Sequence, residues 1–225
     1  MMIKSFGCSF IFGTDLADDG RDLPFPTASQ FTWPALAARH LGAPYVCRAR
    51  GGSGNLQILE RVLREVSTGE KALYIIGWTW IERFDYEDND PRRIPNEWKT
   101  ICPLTESDAA KAYYKYLHSE YRDKLNTLIY IKTAVDALTA AGCAFVMTYM
   151  DELIFDQQWH APASVLYLQD AVRPHLHSFN GKSFLKWSYE QGFEISPTMH
   201  PLEPAHQAGF ELICPVIEQA YHSLV

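Results

Sequence analysis

The sequence predicts an α/β fold in which a mainly parallel, five-stranded sheet lies between two layers of helices. Strand-like and helix-like patterns alternate along the chain from its first residues to its last. The apolar runs at residues 72–78 and 143–150 are continuous, which is typical of strands buried on both faces. Because ligands bind beyond the carboxyl ends of the strands in such sheets, each loop that follows a strand is a candidate site.

The first half of the chain supplies three of the expected strands. The first strand is expected at residues 3–6 and the second at residues 43–49. Residues 32–42 between them are expected to form a helix, because apolar residues recur there at three-to-four spacing. Residues 56–68 read as an amphipathic helix with Asn55 as its N-cap, and the third strand follows.

The second half of the chain is less regular. Roughly 65 residues separate the third and fourth strands, more than a minimal crossover needs. Residues 85–104 are polar and proline-rich, and we expect an irregular loop that borders a pocket. Residues 107–141 carry a long helical pattern with one break. The final strand is expected at residues 193–196, ahead of a C-terminal helix over residues 204–223.

Length and composition predict one core. With 225 residues, of which 47% are apolar, we expect a single domain over residues 1–225 with insertions at about 85–105 and 151–182. The net charge is −7 and the 20 basic residues are scattered along the sequence, so a nucleic-acid partner is not expected.

Cysteine usage and hydropathy predict the setting of the protein. The five cysteines lie far apart without a Cys-x-x-Cys pair, which argues against a disulfide framework or a zinc ribbon and favours a reducing, cytoplasmic environment. No apolar window approaches the ~18 residues of a membrane span, so neither export nor a membrane partner is expected.

Four short segments fall at the carboxyl ends of the expected strands. They are Gly-Cys-Ser-Phe, Gly-Gly-Ser-Gly-Asn, Gly-Trp-Thr-Trp and, after the last strand, Met-His-Pro-Leu. Together they resemble the conserved blocks of the SGNH hydrolases, the GDSL-type esterase and lipase superfamily. The resemblance extends from the first strand to the last helix, and it implies a flavodoxin-like, three-layer α/β/α fold.

The resemblance also implies roles for particular residues. Ser9 matches the nucleophilic serine and His200 matches the histidine that removes its proton. Oxyanion donors are implied at the backbone N–H groups of Ser9 and Gly52, with a third donor from Thr79 or Asn55. No cofactor or metal ion is implied.

The sequence departs from the family pattern in two blocks. Thr79 replaces the usual asparagine of the third block, and Pro197 stands where the family has the aspartate that orients the histidine. Three possibilities follow for His200. A backbone carbonyl near residues 196–197 orients it, Glu203 or Asp151 reaches it from another loop, or the protein is a binding module of weak or no activity.

Structural roles compete with functional ones at several positions. Trp78 and Trp80 follow a strand end and are candidates for the lining of a pocket, although tryptophan at such positions is more often core. Cys8 is a competing nucleophile, but strand alternation points it away from Ser9. Asn55 is favoured as a helix cap, and His206 as a structural residue.

The function predicted from these residues is hydrolysis of a carboxylic ester through an acyl-Ser9 intermediate. The expected substrate is a small-molecule or carbohydrate ester with a short acyl group such as acetyl. Fold analogy does not choose among the acyl groups that such enzymes remove, and the sequence leaves the oligomeric state open.

Overall fold

A computed structural model describes residues 1–24, 26–87, 98–158 and 161–223 of the chain. The first part contains β1 (Met2–Phe6), α1 (Ser9–Phe12), α2 (Trp33–His40), β2 (Tyr45–Cys47), α3 (Asn55–Val66) and β3 (Ala72–Trp78). The second part contains β4 (Phe84–Glu87), β5 (Trp98–Ile101), α4 (Asp108–Tyr116), α5 (Glu120–Ala140), β6 (Ala144–Tyr149), α6 (Ala163–Val172), β7 (Leu176–His177), α7 (Phe184–Glu190) and α8 (Glu203–His222). Short 3-10 helices lie at Glu152–Phe155 and Arg173–His175.

The main sheet has five strands in the order β2-β1-β3-β6-β7, and every neighbouring pair is parallel. β3 is the central strand and all of its residues are buried. In its register, Ile75 lies opposite Ser5 of β1 and Val146 of β6. The α/β class and the parallel, five-stranded sheet predicted from the sequence are therefore confirmed.

Two apolar clusters cover the two faces of this sheet. Alternation along β3 sends Tyr74 and Ile76 into one cluster, with residues of α3, α5 and α6. Leu73 and Ile75 point into the other, with residues of α1, α2, α7 and α8. The result is a three-layer α/β/α arrangement.

The fifth strand is not the one expected. Residues 193–196 form no strand; Ile195 makes only an isolated bridge with Pro201. β7 instead completes the sheet from within residues 151–182, the segment expected to be an insertion. A two-residue edge strand is too short to show the alternation on which strand prediction depends.

The segment expected to be an irregular loop is partly ordered. β4 and β5 form an antiparallel pair, and residues 88–97 between them lie outside the described part of the chain. Asp85 of β4 accepts hydrogen bonds from the backbone N–H groups of Gly54 and Gln57, each at 3.0 Å. The hairpin thereby caps the N-terminus of α3 through a buried carboxylate.

The helices agree with the expectation in most places. The pattern over residues 107–141 forms α4 and α5, with its break at residues 117–119. Asn55, expected as an N-cap, is instead the first residue of α3, and Gly54 takes the cap position. Among the described residues, no helix has the length and apolar character needed to cross a lipid bilayer.

Candidate active site

Ser9 follows the end of β1 after Gly7 and Cys8, and it is the first residue of α1. Gly7 makes this turn possible, because a Cβ there would lie 2.5 Å from Cγ1 of Ile11 and 3.0 Å from the carbonyl oxygen of Gly77. The preceding Cys8 is buried in an apolar cluster. The close approach of β1, α1 and β3 thus fixes the position of the serine.

His200 faces Ser9 from the loop that precedes α8. Its Nε2 lies 2.8 Å from Oγ of Ser9. Ser196 holds the loop in place, since its backbone N–H donates to the carbonyl oxygen of His200 at 2.8 Å and its hydroxyl accepts from the His200 backbone N–H at 3.1 Å. Two elements that are 191 residues apart in sequence are brought together in this way.

The carboxylate that contacts the histidine is that of Asp15. Its Oδ2 lies 2.8 Å from Nδ1 of His200. A hydrogen bond donated by Nδ1–H to this carboxylate leaves the lone pair of Nε2 free to accept from the Ser9 hydroxyl. The three side chains form a continuous hydrogen-bonded series of serine, histidine and aspartate.

Asp15 is held in its charged form by its neighbours. Burial by itself would raise the pKa of this carboxyl, but hydrogen bonds from four side chains outweigh burial and hold the pKa well below its usual range: Thr198, Ser196, His200 and Arg21. Ser196 Oγ donates to Oδ2 at 2.7 Å, and Arg21 donates to Oδ1 at 2.7 Å. Asp15 therefore remains a carboxylate at neutral and mildly acidic pH.

The carboxylates expected beside His200 lie elsewhere. Glu203 accepts from the backbone N–H of Ala17 at 2.6 Å. Asp151 accepts from the backbone N–H groups of Ile81 and Leu153, each at 3.0 Å. Neither Glu203 nor Asp151 therefore contacts His200 as expected. The loop that follows α1 folds back and places Asp15 beside the imidazole instead.

Sequence reasoning missed Asp15, although a signal was present. Four aspartates follow the serine block within a few residues: Asp15, Asp18, Asp19 and Asp22. The family pattern directs attention to the residues just before the histidine, where this chain has no carboxylate. A search for any acidic residue on a loop at the same edge of the sheet would have included Asp15.

Gly52 lies in the same cavity as Ser9 and His200. Its φ of 76° is in the left-handed region that favours glycine. Among the described residues, the backbone N–H groups of Ser9 and Gly52 have no hydrogen-bond acceptor. Neither donor is used by another described residue.

Asn55 and Thr79 are turned toward each other and do not line this cavity. Oδ1 of Asn55 accepts from the backbone N–H of Thr79 at 2.8 Å, and Nδ2 of Asn55 donates to the Thr79 carbonyl at 3.1 Å. The hydroxyl of Thr79 is buried without a hydrogen-bond partner in the described residues. This pair joins the start of α3 to the end of β3, and the expectation that either is an oxyanion donor is corrected.

The cavity above Ser9 has a volume of about 650 Å³. Trp80 lines it, with the Arg83 guanidinium 4.9 Å from the centre of the Trp80 ring. Leu104, which follows β5, and Leu185 of α7 also line it. Trp78 does not, because it is buried in the core with Nε1 3.5 Å from Sδ of Met147.

Two other histidines lie outside this cavity. His206 is buried, and its Nδ1 accepts from the backbone N–H of Trp33 at 3.2 Å, which agrees with a structural role. At the surface between α2 and α8, His40, Cys214 and Glu218 place possible metal-ligand atoms within 4.8 Å of one another. None of these residues lines the Ser9 cavity.

Comparison with solved structures identifies the fold. TesA superposes with a TM-score of 0.55 and 13% identity, covering 98% of this chain and 99% of TesA. The psychrotrophic esterase EstA from Pseudoalteromonas sp. gives a TM-score of 0.53 and 10% identity, with 97% of each chain covered. A carbohydrate esterase family 2 enzyme with a carbohydrate-binding domain, from Corynascus thermopiles (Myceliophthora fergusii), gives a TM-score of 0.55 and 15% identity.

The last of these proteins is longer than the chain. The superposition covers 97% of this chain and 66% of that esterase. No protein-family model matches the sequence, and a search of curated proteins finds no relative. A lipolytic protein of the G-D-S-L family from Desulfitobacterium hafniense also superposes, with a TM-score of 0.51. The chain therefore has the SGNH (GDSL-type) hydrolase fold that its four sequence blocks resemble.

Proposed function

We propose that the protein hydrolyses a carboxylic ester, with Ser9 as nucleophile, His200 as general base and Asp15 as the residue that orients His200. The observation that carries this proposal is the pair of 2.8 Å contacts that joins the three side chains in series. A serine hydroxyl is a weak nucleophile unless a base removes its proton, and this geometry supplies the base.

The reaction follows from this geometry. Oγ of Ser9 attacks the ester carbonyl carbon while Nε2 of His200 takes the hydroxyl proton, and the Asp15 carboxylate stabilises the imidazolium that results. The tetrahedral intermediate collapses when His200 returns the proton to the departing alkoxide. Water, deprotonated by the same histidine, then attacks the acyl-serine and releases the acid and the free enzyme.

Hydrogen-bond donors are needed to stabilise the negative charge that develops on the carbonyl oxygen in the transition state. The free backbone N–H groups of Ser9 and Gly52 suit this role because both residues belong to the cavity. A donor of this kind contributes roughly 3–4 kcal/mol to transition-state stabilisation when it is preorganised. In this proposal two backbone donors act without the side chain that the third block supplies in related sequences.

The cavity suits a small substrate. Its volume of about 650 Å³ is within the range of roughly 300–1,000 Å³ that is usual for small-ligand sites. One of the similar structures is a carbohydrate esterase. We therefore propose a small-molecule or carbohydrate ester with a short acyl group such as acetyl.

The alternative is a binding module that has the fold without the activity. Two departures from the family pattern suggest it: the missing aspartate before His200 and the threonine at position 79 in place of asparagine. The Asp15 contact at 2.8 Å supplies a carboxylate from another loop, which answers the first departure, while the backbone N–H groups of Ser9 and Gly52 are the donors proposed in place of the asparagine. The geometry thus favours the hydrolase.

The test uses p-nitrophenyl acetate and a fluorophosphonate that reacts with activated serines. Wild type is expected to hydrolyse the ester and to gain the mass of the phosphonyl group. Ser9→Ala should lose both properties, with a fall in kcat of about 10³-fold or more. Cys8→Ala, which changes the neighbouring buried side chain, is the control and should keep both. Equal labelling of wild type and Ser9→Ala would show that Ser9 is not the nucleophile.

A further inference from the structure

A second cavity adjoins the Ser9 cavity and has an unusual charge. Its volume is about 800 Å³. Thr14, Arg21 and Gly51 line both cavities, so the two are neighbours. Five arginines line the second cavity: Arg21, Arg48, Arg50, Arg61 and Arg64. The chain as a whole carries a net charge of −7, so this concentration of positive charge is local.

The arginines come from separate elements, which is why they look scattered in the sequence. Arg21 belongs to the loop after α1, Arg48 and Arg50 follow β2, and Arg61 and Arg64 are one turn apart on α3. Of the described residues that line this cavity, Glu65 is the one with a carboxylate. The fold therefore brings arginines that are far apart in the sequence to the wall of one cavity.

Three of the five arginines have acidic partners. Arg48 pairs with Glu65 at 2.6 Å and Arg21 with Asp15 at 2.7 Å, and Arg64 pairs with Glu60. These ion pairs neutralise part of the positive charge. The charge that remains belongs to Arg50 and Arg61.

Arg50 and Arg61 have no ion-pair partner among the described residues. Arg61 donates from Nη2 to Oγ of Ser53 at 2.9 Å, but its Nε is buried without a hydrogen-bond acceptor. A buried guanidinium donor without a partner is costly. Of the five arginines, Arg61 is the one that has such a donor among the described residues.

The charges of Arg50 and Arg61 also favour a bound anion. Burial, followed by the positive charge of Arg50, lowers the pKa of Arg61 to about 10. Arg61 is still cationic at neutral pH, and two neighbouring positive charges repel each other. The carboxylates of Asp85 and Glu60 offset this repulsion in part. An anion placed between the two guanidinium groups would relieve it further and accept hydrogen bonds from them.

This cavity is close to the reacting serine. Arg61 Nη2 lies 3.4 Å from the carbonyl oxygen of Gly7, and the backbone N–H of Arg50 donates to the same oxygen at 3.2 Å. Gly7 is two residues before Ser9. A ligand that spans both cavities would have one end at the Ser9 hydroxyl and the other at the arginines.

We propose that the ester substrate carries an anionic group, a phosphate or a carboxylate, that binds between Arg50 and Arg61 while the ester lies at Ser9. The identification of this ligand as the substrate rests on the proposed function. The binding of an anion by the cavity does not, so the two can be tested separately.

The first test measures binding without catalysis. Inorganic phosphate is titrated into the Ser9→Ala protein, and the binding heat is measured by calorimetry. The rise in the melting temperature of the protein with added phosphate is the second readout. We expect saturable binding that weakens about tenfold or more in Ser9→Ala/Arg50→Gln and in Ser9→Ala/Arg61→Gln, because each loses a charge-assisted hydrogen bond. Adding Arg39→Gln, a surface arginine of α2, removes the same charge elsewhere and should leave the affinity unchanged.

The second test asks which anionic group the substrate carries. The wild-type kcat/KM is measured for phenyl acetate, 3-acetoxybenzoate and 3-acetoxyphenyl phosphate. We expect a preference for one of the anionic esters over the neutral one, and the preferred ester identifies carboxylate or phosphate. The ratio of anionic to neutral kcat/KM should fall about tenfold in Arg50→Gln and be unchanged in Arg39→Gln.

The outcomes separate this inference from the proposed function. Absence of phosphate binding, or equal binding in the Arg50→Gln and control proteins, overturns the anion site even if ester hydrolysis is confirmed. Loss of the serine assignment would leave the binding result intact. If Arg61→Gln fails to fold because its side chain is partly buried, the exposed Arg50 decides the result.

Discussion

Asp15 contacts both His200 and Arg21 with its side chain. It lies six residues after Ser9 and has a φ of 71°, in the left-handed region that aspartate tolerates better than most residues. This backbone conformation belongs to the turn that brings the carboxylate back to the imidazole. The same carboxylate is bonded to Arg21, so it also connects the site to the cationic cavity.

Replacement of Asp15 by asparagine should remove the group that orients His200. Asparagine keeps the size but lacks the negative charge that fixes the Nδ1–H tautomer and stabilises the imidazolium, so we expect kcat for p-nitrophenyl acetate to fall by about 10³- to 10⁴-fold. KM should change little. Asp22→Asn, whose side chain is fully exposed, is the matched control and should retain activity. Equal kcat values in the two variants would contradict the role of Asp15.

His206 makes stability depend on pH. Burial, with a smaller contribution from the charge of His200, lowers its pKa to about 3. In the unfolded chain its pKa is about 6.5, so between these values the unfolded state binds more protons than the folded state. The free energy of unfolding therefore falls as the pH drops through this range.

Replacement of His206 by glutamine should weaken this acid sensitivity. Glutamine can still accept the Trp33 backbone N–H through Oε1, but it does not titrate. We expect the melting temperature of wild type to fall more steeply between pH 7 and pH 4 than that of His206→Gln. His222→Gln, a substitution at an exposed residue of α8, should follow wild type. Parallel curves for all three proteins would contradict this prediction.

At the scale of elements, the loop after β2 connects the two cavities. Gly51 lines both of them and Gly52 lines the Ser9 cavity. The loop is held at one side by the bond from Arg50 to Gly7 and at the other by α3, which the hairpin residue Asp85 caps. The position of the Gly52 amide thus depends on contacts from three separate elements.

Gly52→Ala tests this loop, with Gly42→Ala as its matched control. Both glycines have positive φ, 76° and 60°, and an added Cβ would contact nothing within 4 Å at either position. We expect each substitution to lower the free energy of unfolding by about 1 kcal/mol through backbone strain. Only Gly52→Ala should also reduce kcat/KM, by as much as about 10²-fold, because a displaced amide stabilises the oxyanion less well. Equal activity in the two variants would contradict an oxyanion role for Gly52.

At the scale of the whole molecule, stability is concentrated at the centre of the sheet. β3 is paired on both sides and covered on both faces, whereas β7 is a two-residue edge strand. Lys4 of β1 adds a buried charge that is paired with Glu65 at 2.8 Å and with Glu70 at 2.7 Å, which connects the sheet to α3 and the turn beyond it. Removal of side-chain volume should therefore cost most in β3.

Leu73→Ala and Leu176→Ala compare the centre with the edge. Leu73 is fully buried, and its truncation should lower the free energy of unfolding by about 3–5 kcal/mol. Leu176 is only partly buried, and the same change there should cost about 1–2 kcal/mol because fewer contacts are lost. Urea denaturation of both variants checks this order. A larger loss for Leu176→Ala would contradict the assignment of β7 as a weak edge strand.

Predictability varied with the kind of feature. The continuous apolar run of β3 and the three-to-four spacing of α2 were readable because each is a local pattern. The two-residue β7 and the four-residue strands β4 and β5 were not, because strands this short show too little alternation to be recognised without their pairing partners. Trp78 shows the same limit, since the strand end alone did not decide whether its ring enters the core or the cavity.

The sequence by itself determined the α/β class, the strands β1, β2, β3 and β6 with most of the helices, and the expectation that Ser9 and His200 meet at one edge of the sheet. These features follow from local hydrophobic periodicity and from the topology of parallel sheets. Only the tertiary structure decided which carboxylate contacts His200, across 185 residues of sequence, and that five arginines line one cavity. The physical reason is that such contacts depend on the paths of loops, which long-range packing and hydrogen bonds set.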